Sequence, residues 1–501
     1  MGLRGWDSQG APGLFFAGNF CKTRRKRGTF YLARNLENRN TDSCDMNIKF
    51  PIPEAQDAVL AICRMARQNN GRAFLVGGCV RDALLGLAVK DFDLEVYGIP
   101  SERLIALLSE SFPLDLVGQA FGVVKLKGLP VDVSLPRRES KQGLGHKGFH
   151  IASDPDLAPA VAAARRDFTI NAIMHDPLTG EIQDPFNGRA DLEKNILRHV
   201  SGQFVEDPLR VLRAMQFIAR FRLQPAPETV ALCRAITPES LPRERIGDEW
   251  TKLILRGHAI GDGLRFLKDV GWLAYYPELQ TMVDCAQEPE WHPEGDVWDH
   301  TLYCMDAFAA DRINDEWEDR VVGFAVLCHD LGKPATTRFE DGRLRSKNHD
   351  VAGEAPSRSF MARLTAEQRL VDEAVALVTT HLRPMELYNS KAGDSAIRRL
   401  AAKVVRIDRL VRVALADQKG RPPIPFEGFL AGDWLLDRAR VLEIRNQAPR
   451  PLVLGRHLIE MGKKPGPHFK AILGQCYEAQ LDGEFTTLED GLAFCRQLFS
   501  R

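Results

Sequence analysis

The chain has 501 residues, and 67 lysines and arginines balance 67 aspartates and glutamates, so its formal charge is zero. That balance excludes a protein that coats nucleic acid indiscriminately but leaves room for a local basic track. Ten cysteines without a Cys-x-x-Cys pair, and no apolar stretch fit to span a bilayer, argue for buried reduced thiols in a cytoplasmic protein of about three domains.

Residues 1–45 mix Gly, Asn and Arg, carry the basic run 22–27 and show no sustained periodicity, so a disordered or spurious extension is expected, with the fold starting near Met46. The apolar run Ala73-Phe74-Leu75-Val76 predicts a strand, Gly77-Gly78 a tight turn, and Val80 to Leu85 a short helix. Glycines here let backbone N–H groups approach an anion at the helix N-terminus. Asp91-Phe92-Asp93 then opens a second extended run, Leu94 to Tyr97. Strand side chains alternate, so Asp91 and Asp93 share a face, as does Glu95, and form a hard-oxygen site suited to Mg²⁺. Asp132, in the alternating Val131-Asp132-Val133, either completes that site or faces solvent. The segment 137–148 is basic and then glycine-rich, and reads either as a cationic loop that touches phosphates or as a solvated surface loop.

Downstream, Arg165-Arg166-Asp167-Phe168 offers guanidiniums for triphosphate oxygens or ribose, or else a surface ion pair. A helical section starts at Glu206-Asp207-Pro208-Leu209-Arg210, and the three-residue spacing lets Asp207 and Arg210 meet on one face. Such a pair can read the Watson–Crick edge of a base, or it is an ordinary helical salt bridge. In the second half, His300, the adjacent His329-Asp330 before Leu331-Gly332-Lys333, and Asp417 lie on separate helical stretches. Imidazoles with carboxylates suit a divalent transition metal. His349 and His381 are either core histidines or ligands of a second ion. Beyond about 430 the sequence predicts a helical tail with no chemistry of its own.

The ordered set Gly-Gly-x-Val-Arg-Asp, Asp-x-Asp, Arg-Arg-Asp-Phe-Thr-Ile-Asn-Ala, Glu-Asp-x-x-Arg and Arg245-Ile246-Gly247-Asp248-Glu249 resembles the bacterial class II tRNA nucleotidyltransferase and poly(A) polymerase family. The His-Asp pattern resembles the HD phosphohydrolase superfamily. The resemblance implies an α+β protein, with a mixed α/β nucleotidyltransferase head (46–175), a helical neck and body (176–285), an HD domain (286–430) and a tail (431–501). It implies Mg²⁺ on Asp91 and Asp93, with Asp132 as a further catalytic acid. Gly77, Gly78, Arg81, Arg166, Asp167 and Arg213 would hold the nucleotide, and Asp207 and Arg210 would choose CTP or ATP, with Glu206 orienting Arg210. A divalent metal would sit on His300, His329, Asp330 and Asp417, extended by His349 and His381. The activity implied is template-independent addition of CCA to tRNA, with hydrolysis of 2′,3′-cyclic phosphates or phosphomonoesters at the HD site. Poly(A) addition, or an HD hydrolase with a head that only binds nucleotide, are the alternatives.

Overall fold

A computed structural model describes residues 48, 50, 52–116, 122–141, 149–239 and 241–499. The N-terminal extension and the glycine-rich segment 142–148 lie outside the described residues.

Helix α1 (Pro53–Gln68) begins on a proline with Glu54 in its first turn, and Ala55, Ala58, Val59, Ile62 and Ala66 form its buried stripe. Next come strand β1 (Arg72–Val76), helix α2 (Gly78–Leu84), strand β2 (Phe92–Tyr97) and helix α3 (Ser101–Ser111). They are followed by β3 (Leu114–Asp115), β4 (Val123–Leu126), β5 (Val131–Ser134), the hairpin of β6 (Arg137–Lys141) and β7 (Phe149–Ser153), β8 (Met174–His175) and β9 (Ile182–Gln183). Seven strands make one mixed sheet in the order β3-β4-β5-β2-β1-β8-β9, with β2 and β5 parallel and the other neighbours antiparallel. Because β9 closes the sheet, the head runs past the expected boundary at 175.

Both faces of the sheet are covered. Ala73, Leu75, Phe92, Leu94 and Val96 enter the main core, while Phe74, Val76 and Tyr97 join a smaller core with Ala162, Ala163, Ala172 and Met174. Asp93 and Glu95 alternate onto the second face, the one that carries Tyr97.

The rest is almost wholly helical. Neck helix α4 (Leu209–Phe221) packs on α5 (Arg243–Arg256) and α6 (Ile260–Asp269). Helices α7 (Val297–Ala310), α8 (Glu316–Cys328) and α9 (Ile407–Lys419) pack on one another, and α10 (Leu430–Val441) leans on α9. Leu435 and Ala439 of α10 belong to the main core, which runs unbroken from the head into these helices. The separate C-terminal core instead gathers Val453, Leu458, Cys476, Phe485 and Cys495, so the tail starts later than the expected residue 431. Among the described residues no helix is long and apolar enough to cross a membrane.

Candidate active site and metal centre

The head site is built on the middle of the sheet. Asp93 of β2 stands directly beside Asp132 of β5 in the parallel register, and Asp91 precedes β2 by one residue. Asp91 and Asp93 are exposed and Asp132 is partly so. Although Asp93 reaches solvent, partial loss of hydration at its carboxyl, with the charges of Asp132 and Asp91, holds it above the ordinary range against the pull of Arg166. Crowded hard oxygens of like charge are the donor set that a small divalent cation relieves. Lys125 of β4 already compensates one of them, its Nζ lying 2.8 Å from Asp132 Oδ2.

Gly77 turns the chain from β1 into α2 at φ 74°, ψ −133°, a conformation that favours glycine. A side chain there would also crowd Arg166, whose Nη1 would be 3.1 Å from a Cβ, with Asp93 Oδ2 at 3.8 Å. The Gly-Gly turn, Arg166 and Asp93 therefore form one wall. Glu95, an acid without an assigned role in the sequence, explains how Arg166 stays there. It is fully buried, accepts from Arg165 Nη2 at 2.8 Å and Tyr97 Oη at 2.7 Å, and lies 3.7 Å from Arg166 Nη2. Burial pushes its pKa up, but Arg166 and Arg165 outweigh that and lower it, keeping it charged.

Arg81, expected to hold the triphosphate with Gly77 and Gly78, keeps its Nη2 at the Gly78 turn, 3.5 Å from where a Cβ would lie. It is buried, donates to Asn171 Oδ1 at 2.6 Å and to Asp82 Oδ1 at 2.8 Å, and stacks over Phe217 and Phe221 of the neck. It ties α2 to α4. Asp167 does similar work: it is buried, receives both Nε (2.7 Å) and Nη2 (2.6 Å) of Arg213, and accepts from Asn171 Nδ2 at 2.8 Å. Burial alone would raise its pKa, yet Arg213 and these hydrogen bonds lower it. Head and neck are thus locked by charge-assisted bonds around Asn171.

The expected Asp207–Arg210 pair does not form. Pro208 caps α4, so Asp207 sits before the helix in extended backbone rather than on its face. Its carboxylate accepts from Leu209 N (3.1 Å) and from Arg245 of α5 through Nη2 (2.8 Å) and Nη1 (3.4 Å). Arg210 instead donates to the carbonyls of Gln203 (2.9 Å) and Arg165 (2.6 Å), and Glu206 takes no part in these two bonds. Arg245 is the partner that sequence reasoning missed; it lay in plain sight in the Arg245-to-Glu249 motif but was given no role.

In the C-terminal half the sequence-derived ligands converge. His300 comes from α7, His329 caps α8 with Asp330 next, His349 starts the short helix His349–Ala352, and Asp417 comes from α9. All are buried, as is His381. Asp330 faces both ways: Oδ2 is 3.3 Å from His329 Nε2 and 3.7 Å from His300 Nε2, while Oδ1 is 3.3 Å from His349 Nε2. His300 Nε2 is 3.2 Å from Asp417 Oδ1, and the Nε2 atoms of His349 and His381 are 3.2 Å apart.

The ring orientations are fixed from behind. The Nδ1 atoms of His329, His349 and His381 bond to the carbonyls of Val326, Ser346 and Val378 at 2.7, 2.7 and 2.8 Å. His300 Nδ1 lies 2.7 Å from Glu294 Oε1, a carboxylate with a pKa held at about 2 by His292 and His300 despite burial. Nδ1 engagement turns each Nε2 lone pair inward, the arrangement that outer partners give metal-bound histidines. The buried His329 Nε2 lacks a hydrogen-bond partner and a cation suits it, while Asp330 Oδ2 faces Lys333 Nζ at 2.8 Å.

The electrostatics agree. Despite burial, Asp330 and Asp417 are held well below the usual carboxylate range, by His329 and Lys333 and by Arg421 and His300 respectively. His381 is pushed down to about 4 by burial and by His329 and His349, and is neutral at neutral pH. Beside the cluster opens a cavity of about 280 Å³ whose lining includes Lys333, Arg421, Trp291, Asp330, His349 and His381.

Residues 73–198 match the family model described as the Poly A polymerase head domain. The multifunctional CCA protein of Laribacter hongkongensis (strain HLHK9) is 35% identical over 364 residues, covering 70% of this chain and 85% of that protein. That of Xanthomonas campestris pv. campestris (strain B100) is 37% identical over 367 residues, with the same coverage. Among solved structures, the Bacillus stearothermophilus CCA-adding enzyme in complex with CTP aligns with a TM-score of 0.62 at 24% identity, over 90% of this chain and 98% of that one. The Thermotoga maritima CCA-adding enzyme complexed with tRNA aligns at 0.55 and 20%, over 93% and 98%. Fold and sheet topology define a nucleotidyltransferase head of the poly(A) polymerase type on a helical body. The chain belongs to the multifunctional CCA protein family.

Proposed function

We propose that this protein builds or repairs the 3′-terminal CCA of tRNA from CTP and ATP, without a nucleic-acid template. The observation that carries the reading is the Asp93–Asp132 strand pair standing against Gly77 and Arg166. In nucleotidyl transfer, the terminal ribose 3′-oxygen bonds to the α-phosphorus, the bond to the β-phosphate bridge breaks, and pyrophosphate leaves with the charge. Magnesium on Asp91, Asp93 and Asp132 would lower the pKa of that hydroxyl and offset charge on the leaving oxygens. Arg166, braced by Glu95, supplies a guanidinium to the triphosphate, and the Gly77–Gly78 turn lets the backbone come close. Asp207, clamped by Arg245, presents an acceptor edge beside Arg210 for choosing the base. The membership of this family and the CTP and tRNA complexes of structural neighbours support the reading.

The test is incubation with tRNAs that lack the terminal A, CA or CCA, with each NTP alone and in pairs. Products that stop at CCA are expected. Homopolymeric A tails would replace this reading with poly(A) addition.

The C-terminal cluster supports a second activity, phosphoester hydrolysis at an HD centre with one divalent ion between His300, His329, Asp330 and Asp417. Asp330 Oδ1, His349 and His381 offer ligands for another. Lys333 and Arg421 line the adjoining cavity and would bind the phosphate of a 2′,3′-cyclic phosphate or a phosphomonoester. Water adds at phosphorus and one P–O bond to the sugar breaks, which opens a cyclic phosphate to a monoester or frees phosphate from a monoester. Ring opening or phosphate release, lost in His329→Ala with CCA addition retained, is the expected result; neither product from the metal-loaded protein would remove this activity.

A further inference from the structure

Cys304 stands one turn after His300 on α7, on the same face, and it is fully buried. Its Sγ lies 3.3 Å from His300 Nε2, and one ligand atom each of His300, Cys304, His329 and Asp417 falls within 4.8 Å of the other three. On one tetrahedral ion with N and S bonds of about 2.0–2.3 Å, neighbouring donors lie roughly 3.3–3.6 Å apart. The sulfur is therefore placed as a ligand would be. Gly420 leaves room for it, since a Cβ there would come within 2.3 Å of the sulfur. The space around it is otherwise polar, since the buried His329 Nε2, which lacks a hydrogen-bond partner, belongs to the same group.

We propose that Cys304 is a thiolate ligand of the HD metal, giving a centre of His300, Cys304, His329 and Asp417 in which the sulfur takes the place given above to Asp330, whose carboxylate is left to His349 and His381. This rests on the HD reading above and deepens it. A soft thiolate added to imidazoles moves preference toward Zn²⁺ and Co²⁺ and away from Mn²⁺ or Mg²⁺. It also makes the centre sensitive to oxidants, because a thiol oxidised to sulfenic acid is no longer the same ligand.

The experiment is cobalt substitution of the full-length protein, read by absorption and by metal content. Bound Co²⁺ with a sulfur-to-cobalt charge-transfer band in the near ultraviolet is expected. In Cys304→Ala and Cys304→Ser the band should vanish while the visible cobalt bands persist. Zn²⁺ affinity should fall at least about tenfold in those variants, with Mn²⁺ affinity little changed. Cobalt bound without the near-ultraviolet band in the unmodified protein would overturn the thiolate and leave the HD centre standing. Failure to bind Co²⁺, Zn²⁺ or Mn²⁺ at all, in a protein whose circular dichroism shows it folded, would overturn the HD reading itself.

Discussion

The two acidic sites of this molecule are built on opposite plans. In the head, Asp91 and Asp93 lie open to solvent beside Asp132, held by a strand register and one lysine. In the HD region, donors from several helices are buried, aimed by bonds to their rear nitrogens, and drawn to within 4.8 Å. Among the described residues, such gatherings of three or more donors occur only in this C-terminal half. An open carboxylate pair takes its ion together with substrate phosphates, which supply the missing oxygens. A buried, pre-aimed set is complete without substrate and holds its ion between turnovers. On the proposed reading, one site would assemble with its substrate and the other would keep its ion without it.

Several measurements would break or sharpen that contrast. The largest effect is expected for Asp93→Ala, which should lower nucleotide addition by about a thousandfold or more, as loss of metal-assisted charge stabilisation does. The metal content of the purified variant should stay unchanged, and a fall in it would show that the head also holds a resident ion. His329→Ala should do the reverse, stripping the tightly held metal and reducing phosphate release about a hundredfold or more while CCA addition proceeds. Elemental analysis beside the two assays separates these outcomes.

A third change addresses the joint between head and neck. Arg213→Ala strands the buried Asp167 carboxylate, which keeps only Asn171 and a backbone N–H. A loss of roughly 2–3 kcal/mol is expected in denaturant unfolding, less than for a wholly buried pair because Arg213 keeps some solvent contact. The pH dependence has a definite sign. The folded-state pKa of Asp167 is lowered, so its stabilisation is complete above its unfolded value and is lost as pH falls through the folded one. Without Arg213 that acid loss should begin at higher pH. The smallest effect is expected for Arg245→Ala, which frees Asp207; misincorporation of UTP or GTP should rise about tenfold, with overall addition much less affected. Unaltered discrimination would show that the clamp has no part in base choice.

What the sequence made legible was local. Gly77-Gly78, Asp91-Phe92-Asp93 and His329-Asp330 each carry their geometry within a few residues, because turn, strand alternation and helix end are short-range. The pairing of Asp93 with Asp132 depends on β5 adding to β2 in parallel, a long-range choice that periodicity does not encode. The Asp207–Arg210 expectation failed for a reason visible in hindsight: Pro208 is suited to the start of a helix, so a residue before it leaves the helical face. The buried roles of Arg81 and Glu95 were illegible, since charge alone reads as surface. Cys304 was read as a core thiol, and only the fold brings His329 and Asp417 up to it.

Arg165 touches both halves of the head site. Its guanidinium is held by Glu95, two residues along the strand from Asp93, and its carbonyl receives Arg210. A single residue thus links the proposed base-choosing arginine to the strand of the proposed metal acids. If Arg210 meets the base as proposed, a misfit that displaces it would withdraw its bond from the Arg165 carbonyl, one residue from Arg166 and one side chain from the strand of Asp93.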